Sequence, residues 1–264
     1  MRTTKITRAL AIATAGIAAL SFAAGCGAST SAPPSSAAGC GTGQLSAQPD
    51  PPAMSLTVAK DPTAAAKVPD AVRAKGTLNI AEDPSYAPNE FTAGNSSAPR
   101  GMDIDLANAI GDVLGIKVQF SNASFDGILA GIQSGRYDLG MSSFTDSAER
   151  EKTVDFVTYF KAGTSTVVCK GNPQGIHSDL DLCGKKVGAE NGTTEIDALT
   201  KEDADGSVVK ECKNAGKQPP QGKGYPKQTD ANAALQSNQI DAYMADSPVA
   251  DYAVKQTGGA FQVV

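Results

Sequence analysis

Tryptophan is absent, aromatic residues make up 5% of the chain, and histidine occurs once, as His177 in a polar stretch. A serine–histidine nucleophilic centre is therefore not supported, and His177 reads as a solvated surface residue. The cysteines show no C-x-x-C spacing, which removes the usual sequence sign of a metal site. Basic residues are dispersed, no arginine-aromatic run occurs, and the formal charge is −5, which argues against nucleic acid as a partner. Beyond the first two dozen residues no long apolar stretch follows, so the rest reads as soluble. What remains is 264 residues, 41% of them apolar, with room for two modest lobes or one large domain.

The N-terminus reads as a targeting segment. Arg2, Lys5 and Arg8 form a positive start, and Ala9 to Ala24 form an apolar run too short to span a bilayer comfortably. The stretch Ala23-Ala24-Gly25-Cys26 resembles a bacterial lipobox, with Ala23 where leucine is usual. That resemblance implies a signal peptide over residues 1–25, cleavage before Cys26 and acylation of its thiol. A plain secretory signal with an incidental cysteine is the alternative. Residues 26–68, rich in Ser, Ala, Pro and Gly, read as a disordered tether lifting the folded part off the membrane.

From Gly76 onward strands alternate with helices. Thr77 to Ala81, Lys117 to Phe120 and Tyr137 to Met141 read as strands. Asp103 to Leu114, with Leu106, Ile110, Val113 and Leu114 on one face, and Asp126 to Ser134 read as helices. After the β-branched run Thr164 to Lys170 the pattern restarts, with strands at Lys186–Glu190 and Asp241–Met244 and helices at Thr194–Thr200 and Asp230–Ser237. This order predicts βαβ units and a mainly parallel sheet. The segment from Ile132 to Ser143 echoes that from Leu235 to Asp246, with Gln133/Gln236, Ser134/Ser237, Asp138/Asp241 and Met141/Met244 identical at one constant offset. Two similar lobes are expected, over residues 69–163 and 164–264. Cys183 and Cys212 flank one strand–helix unit and form the expected disulfide in an oxidising compartment. Cys40, in the tether, and Cys169, in an apolar strand, are left as a second, weaker pairing or, as the favoured reading, inert thiols.

In parallel α/β sheets ligands bind beyond the carboxyl ends of the strands. The expected strand Tyr137–Met141 runs into Ser142, Ser143 and Thr145, then into a short helix, capped by Thr145 or Asp146, that carries Arg150. Hydroxyls, exposed amides and one guanidinium fork suit a carboxylate, and an ordinary strand–helix connection with a surface arginine is the alternative. Asn191-Gly-Thr-Thr194, before a helix, offers a second set of amides and hydroxyls at a positive helix end, or simple capping. Asp246 ends a strand and is either a capping group or an acceptor for an ammonium group. Tyr86 and Phe125 stand in loops, where aromatics pack on a core or sandwich an aliphatic stem. Together these groups fit a zwitterion held between two lobes, each satisfying one charge, which gives a reason for closure.

From Gly76 to the end the chain resembles the polar amino-acid family of periplasmic solute-binding proteins that serve ABC importers. The resemblance rests on Asp83-Pro-Ser-Tyr-Ala-Pro88, Gly101-Met-Asp-Ile-Asp-Leu106, Phe125-Asp126, Met141-Ser-Ser-Phe-Thr145 with Arg150, Gly192-Thr-Thr194 and Asp241-Ala-Tyr-Met-Ala-Asp246. It implies a two-lobed α/β fold of the type II periplasmic-binding-protein class, a monomer, no cofactor and no catalysis. It places Arg150, Ser143, Thr145 and Thr194 on the α-carboxylate, Asp246 on the α-amino group, Tyr86 and Phe125 against the ligand, Asp83 at its side chain, and Ser142 as a further contact. The implied partners are an amino acid, an ABC permease and a lipid anchor at Cys26, on the outer face of the cytoplasmic membrane or in the periplasm. Two departures stand out. Family members continue past the position of Val264 and return to the first lobe, so a chain stopping there would leave apolar surface uncovered. Glu190 replaces an expected neutral residue and, beside Asp83, favours a cationic ligand side chain. A secreted dehydratase for cyclic amino-acid precursors, with Glu190 or Asp83 as general acid, and a ligand-sensing lipoprotein subunit are the competing readings.

Overall fold

The structure, a computed structural model, describes Cys40, Leu56 and residues 58–264. The expected signal peptide and Cys26 lie outside the described residues, as does most of the tether. The end of that tether is not disordered, however. Asp61 accepts from the amides of Thr63 and Ala64 and opens α1 (Pro62–Ala66), while its own amide donates to Val113 O at 2.9 Å. α2 (Asp70–Lys75) follows and closes at Gly76, whose φ of 69° suits a residue without a side chain.

The first sheet is built on β1 (Thr77–Glu82), which leads through the short strands β2 (Ser85–Tyr86), β3 (Glu90–Thr92) and β4 (Pro99–Arg100) into α3 (Met102–Leu114). Then come β5 (Lys117–Asn122), α4 (Phe125–Gln133) and β6 (Leu139–Gly140). The sheet order is β5-β1-β6, all parallel, and β2, β3 and β4 form a separate antiparallel patch. Two sequence expectations shift here. α3 buries Ile104, Ala107 and Gly111, whereas Leu106, Ile110, Val113 and Leu114 are half-buried. The strand expected over Tyr137–Met141 shrinks to two residues, because Asp138 leaves the alternation and its carboxylate accepts from Asn79 N and Lys75 Nζ. Leu139 is then exposed and only Met141 is buried.

The second sheet comprises β7 (Thr164–Cys169), β8 (Lys186–Glu190), then α5 (Thr194–Thr200) and α6 (Val208–Asn214), β9 (Gln221–Tyr225), α7 (Gln228–Gln236), β10 (Ala242–Asp246), α8 (Ser247–Gln256) and β11 (Phe261–Val263). Its order is β11-β7-β10-β8-β9. β8, β9 and β10 are parallel, but β7 runs antiparallel to both its neighbours, so this sheet is mixed rather than mainly parallel. β7 enters with no crossover helix before it, which lets it lie against β10 head to tail and sets Thr164 opposite Asp246. One apolar cluster, with Val167, Leu235, Tyr243, Val249 and Phe261, fills one side; another, with Val168, Leu182, Val187, Leu199 and Val208, fills the other.

The echo between the halves has a structural basis. Asp138 Oδ2 accepts from Asn79 N at 2.7 Å, and Asp241 Oδ2 accepts from Lys186 N at 2.9 Å. In both sheets an aspartate before the returning strand thus satisfies an amide of the neighbouring strand, and the methionine three residues on is buried. Cys183–Cys212 is joined, as expected. Cys40–Cys169 is joined too, contrary to the reading of inert thiols. Cys40 is drawn into the first apolar cluster, where its amide donates to Gln236 O at 3.1 Å. Among the described residues no helix is long and apolar enough to cross a membrane.

Candidate ligand-binding site

All described residues belong to one compact unit. The strand ends of the two sheets converge on a small cavity lined by Tyr86, Phe125, Ser143, Thr145 and Arg150 from one side and Glu190, Thr193, Thr194, Glu195 and Asp246 from the other. It encloses about 10 Å³, room for about one water molecule, because the two sides touch. Thr145 Oγ1 lies 3.4 Å from Thr194 Oγ1, and Tyr86 Oη accepts from Asp246 N at 3.1 Å.

Arg150 comes from a 3-10 turn, Arg150–Lys152, rather than from a helix capped by Thr145 or Asp146. Its fork is held by carbonyls of both sides, Nη1 donating to Thr145 O at 2.7 Å and Nη2 to Gly192 O at 2.9 Å. The guanidinium also lies over Phe144 and Phe125, 5.3 and 5.8 Å from the ring centroids, and these two rings stack at 4.2 Å. Burial pulls its pKa down, while Glu195, Asp197 and Asp246 act the other way. Gly192, with φ of 79°, brings its carbonyl this close because it has no side chain; a Cβ there would stand 2.9 Å from the backbone of Asp126.

Ser142 and Asp83 do not line the cavity. Ser142 Oγ donates to Glu90 Oε1 and accepts from Asp83 N. Asp83 is buried, with Oδ1 accepting from Ser85 N at 3.1 Å and Oδ2 from Phe125 N at 3.2 Å. Ser143 lines the cavity, yet its donors point inward. Its amide faces Asp103 Oδ2 and Tyr159 Oη, and its hydroxyl donates to Glu90 Oε2 while accepting from Asn89 Nδ2. The site residue Ser143 is held at φ 52°, an uncommon backbone state for a residue with a side chain.

The acidic side is strongly perturbed. Glu190, 1% exposed at the end of β8, has one carboxylate oxygen, Oε1, without a hydrogen-bond partner. Burial first, and Asp83 second, push its pKa up to about 9. Asp246 is pushed up to about 7 by burial and by Glu195, against the pull of Tyr86 and Arg150. Glu195 is itself buried and accepts from Thr164 Oγ1 at 2.8 Å and Thr194 Oγ1 at 3.1 Å. One guanidinium thus faces the carboxyl groups of Glu190, Glu195 and Asp246 across the cavity. Glu195 and Phe144 escaped the sequence reading, and Thr193 enters it only within the Asn191–Thr194 stretch, without being singled out. An acid in the first turn of a helix ordinarily complements its dipole, and only the antiparallel entry of β7 brings Thr164 to Glu195. Thr193 is the N-cap of α5, its hydroxyl accepting from Ile196 N, so its capping role hides its place in the lining.

The family model for bacterial extracellular solute-binding proteins, family 3, matches residues 78–247. The arginine-binding protein ArgT of Corynebacterium glutamicum is 29% identical across the whole of this chain and 80% of its own length. Among solved structures, an ancestral arginine-binding protein bound to arginine is 38% identical over 72% of this chain and 78% of its own, with a TM-score of 0.63. An ancestral amino acid-binding protein, a precursor of cyclohexadienyl dehydratase, is 34% identical over 74% of this chain and 79% of its own, also at 0.63.

Proposed function

The chain belongs to the bacterial extracellular solute-binding proteins of family 3, and we propose that it is the receptor for a basic L-α-amino acid, which it clasps between its two sheets and delivers to an ABC permease. The observation that carries this reading is the charge of the cavity, with Arg150 as the cation of the lining against Glu190, Glu195 and Asp246. A zwitterion with a neutral side chain would leave the acidic groups beyond Asp246 without a cation to pair with, whereas a cationic side chain supplies one. The names of the similar arginine-binding proteins support the same choice.

In this reading Arg150 exchanges the carbonyl of Gly192 for the ligand carboxylate, a charge-assisted and bidentate pairing, with Thr145 and Thr194 closing over it. Asp246 takes the α-ammonium, Tyr86 and Phe125 flank the stem, and Glu190, backed by Asp83, faces the far end. Ser143 borders the carboxylate pole, and Ser142 fixes Asp83 from below. The ligand bridges residues 69–163 and 164–264, acting as two lobes, so it stabilises their closed arrangement. Removal of residues 1–25 and acylation of Cys26 would anchor the receptor, as a monomer, at the outer face of the membrane.

The test is a melting curve against arginine, lysine, histidine and glutamine. A ligand at about a hundred times its Kd adds about 2.7 kcal/mol, and no shift with any of them would sink the reading. Arg150→Ala should cost on the order of 2–5 kcal/mol of binding, and an unchanged affinity would refute its assignment to the carboxylate. The reading is non-catalytic. Its rival, a dehydratase, draws on the likeness to the dehydratase precursor, and turnover of prephenate by the purified chain would favour it.

A further inference from the structure

Glu190 is placed where a carboxylate is expensive and a donor is wanted. It ends β8 with 1% of its surface exposed, lines the cavity, and holds Oε1 without a partner. Acidic groups act on it from Asp83 after β1, Asp126 on α4 and Asp230 on α7; Tyr225 of β9 stands beside it in register, and Glu195 of α5 and Asp246 of β10 share the cavity lining. Against them, Ser85 on β2 favours the ionised form of Glu190, and Lys227 that of Asp83. Asp83 and Glu190 are both buried and the charge of one raises the cost of the other, so they cannot both ionise cheaply. Of the two, Asp83 is the better anion, because two backbone amides donate to it. Glu190 therefore keeps the proton, in keeping with its pKa near 9.

Resting on the receptor reading above, we propose that this cleft exchanges a proton for the cationic end of its ligand: Glu190, protonated beside Asp83, releases that proton when a guanidinium or ammonium is seated against Oε1. The O–H bond of the carboxyl group breaks, the proton passes to the buffer, and the carboxylate pairs with the incoming cation. The total charge at the far end of the site is unchanged, so Asp83 does not meet a second bare anion at any stage. A neutral side chain of the same shape cannot drive this exchange and meets the protonated acid. The arrangement selects for cationic ligands and makes their affinity rise with pH until Glu190 is ionised without help.

L-arginine and its uncharged counterpart L-citrulline separate the possibilities, since both carry the same α-amino and α-carboxylate groups. Calorimetric titration of the full chain at pH 8, in two buffers of different ionisation enthalpy, counts the protons released. At that pH Asp246 is already largely ionised, and the difference between the two ligands reports on Glu190 alone. We expect arginine to release close to one proton more than citrulline and to bind at least about tenfold more tightly. Glu190→Gln should abolish the difference in protons. If that variant does not fold, the same contrast in the unaltered chain across pH 7 to 10 serves, with the excess release vanishing above the pKa of Glu190. Arginine binding with no excess release overturns the exchange while leaving the receptor intact. Binding of neither ligand nor any other amino acid overturns both.

Discussion

The two sheets solve the problem of an interior in opposite ways. Beneath the second lie Val167, Val168, Val187, Leu199, Leu235 and Phe261, close-packed aliphatic and aromatic side chains with two disulfides around them. Beneath the first the fully apolar cluster is Ile80, Ala107 and Met141, with Leu78, Val118 and Phe120 half-buried at its margin. The space behind its strand ends is taken by Glu82, Glu90 and Asp103, each 0 or 1% exposed. Of these acids, Glu90 and Asp103 hold the turn at Ser142 and Ser143, down to its uncommon backbone state. The second sheet is thus a platform that offers charges at its edge. The first accepts a polar interior in return for a fixed arrangement of hydroxyls and amides.

The largest effect should come from breaking the platform. Phe261, 2% exposed and edge-on to Tyr243, is central to the first cluster. Its replacement by alanine should cost about 3–5 kcal/mol, read by denaturant unfolding, with the same loss at pH 5 and pH 8 because no titrating group is removed. A smaller and pH-dependent effect is expected from Glu82→Gln. Burial, with Asp83 and Asp103 near it, pushes the pKa of Glu82 up to about 7. The folded chain then holds a proton that the unfolded chain has lost, so stability falls as pH rises from the unfolded pKa, about 4.3, to about 7. Glutamine has no such penalty, and the loss of stability between pH 5 and pH 8 should shrink by about 2–3 kcal/mol. An unchanged pH profile would mean that the acids of the first sheet cost nothing, and the contrast would fail.

Sequence alone reached the main alternation of strands and helices, both halves of the echo, the Cys183–Cys212 bridge and most of the cavity lining. Those features follow from local signals: alternation, capping, and polar residues placed just after apolar strands. The rest depended on contacts between distant segments. Nothing in Tyr137–Met141 shows that Asp138 is needed by Asn79, so the expected strand was too long. α6 and β9 were missed because Val208–Asn214 is short and Gln221–Tyr225 carries glycine at alternate positions, which weakens a strand pattern. The glycines have a reason: a Cβ on Gly222 or Gly224 would collide with Leu199 and Asn191. Asp83 and Ser142 were placed against the ligand by resemblance, yet each is occupied below the cavity by amides or by another carboxylate. A buried acid cluster has no sequence signature either, since Glu82, Glu90 and Asp103 look like ordinary surface charges until the turn closes over them.

Tyr159 tests whether those acids position the site or merely occupy space. It is 40% exposed overall, but its hydroxyl is turned inward, donating to Asp103 Oδ2 at 2.8 Å and meeting Ser143 N at 3.3 Å. Burial and the neighbouring Asp103 raise its pKa, so it stays a donor throughout the accessible pH range. Tyr159→Phe keeps the ring and removes that donor from a buried carboxylate. A loss of about 1–2 kcal/mol is expected, smaller below the pKa of Asp103 because a protonated acid can donate for itself. The decisive measurement is a comparison of ligand affinity with stability. If the acids set the geometry of Ser143, affinity should fall about threefold to tenfold under conditions where the variant is fully folded. If affinity holds while stability drops, the polar interior is only an expense of the fold, and the hydroxyls at its rim are placed by the backbone alone.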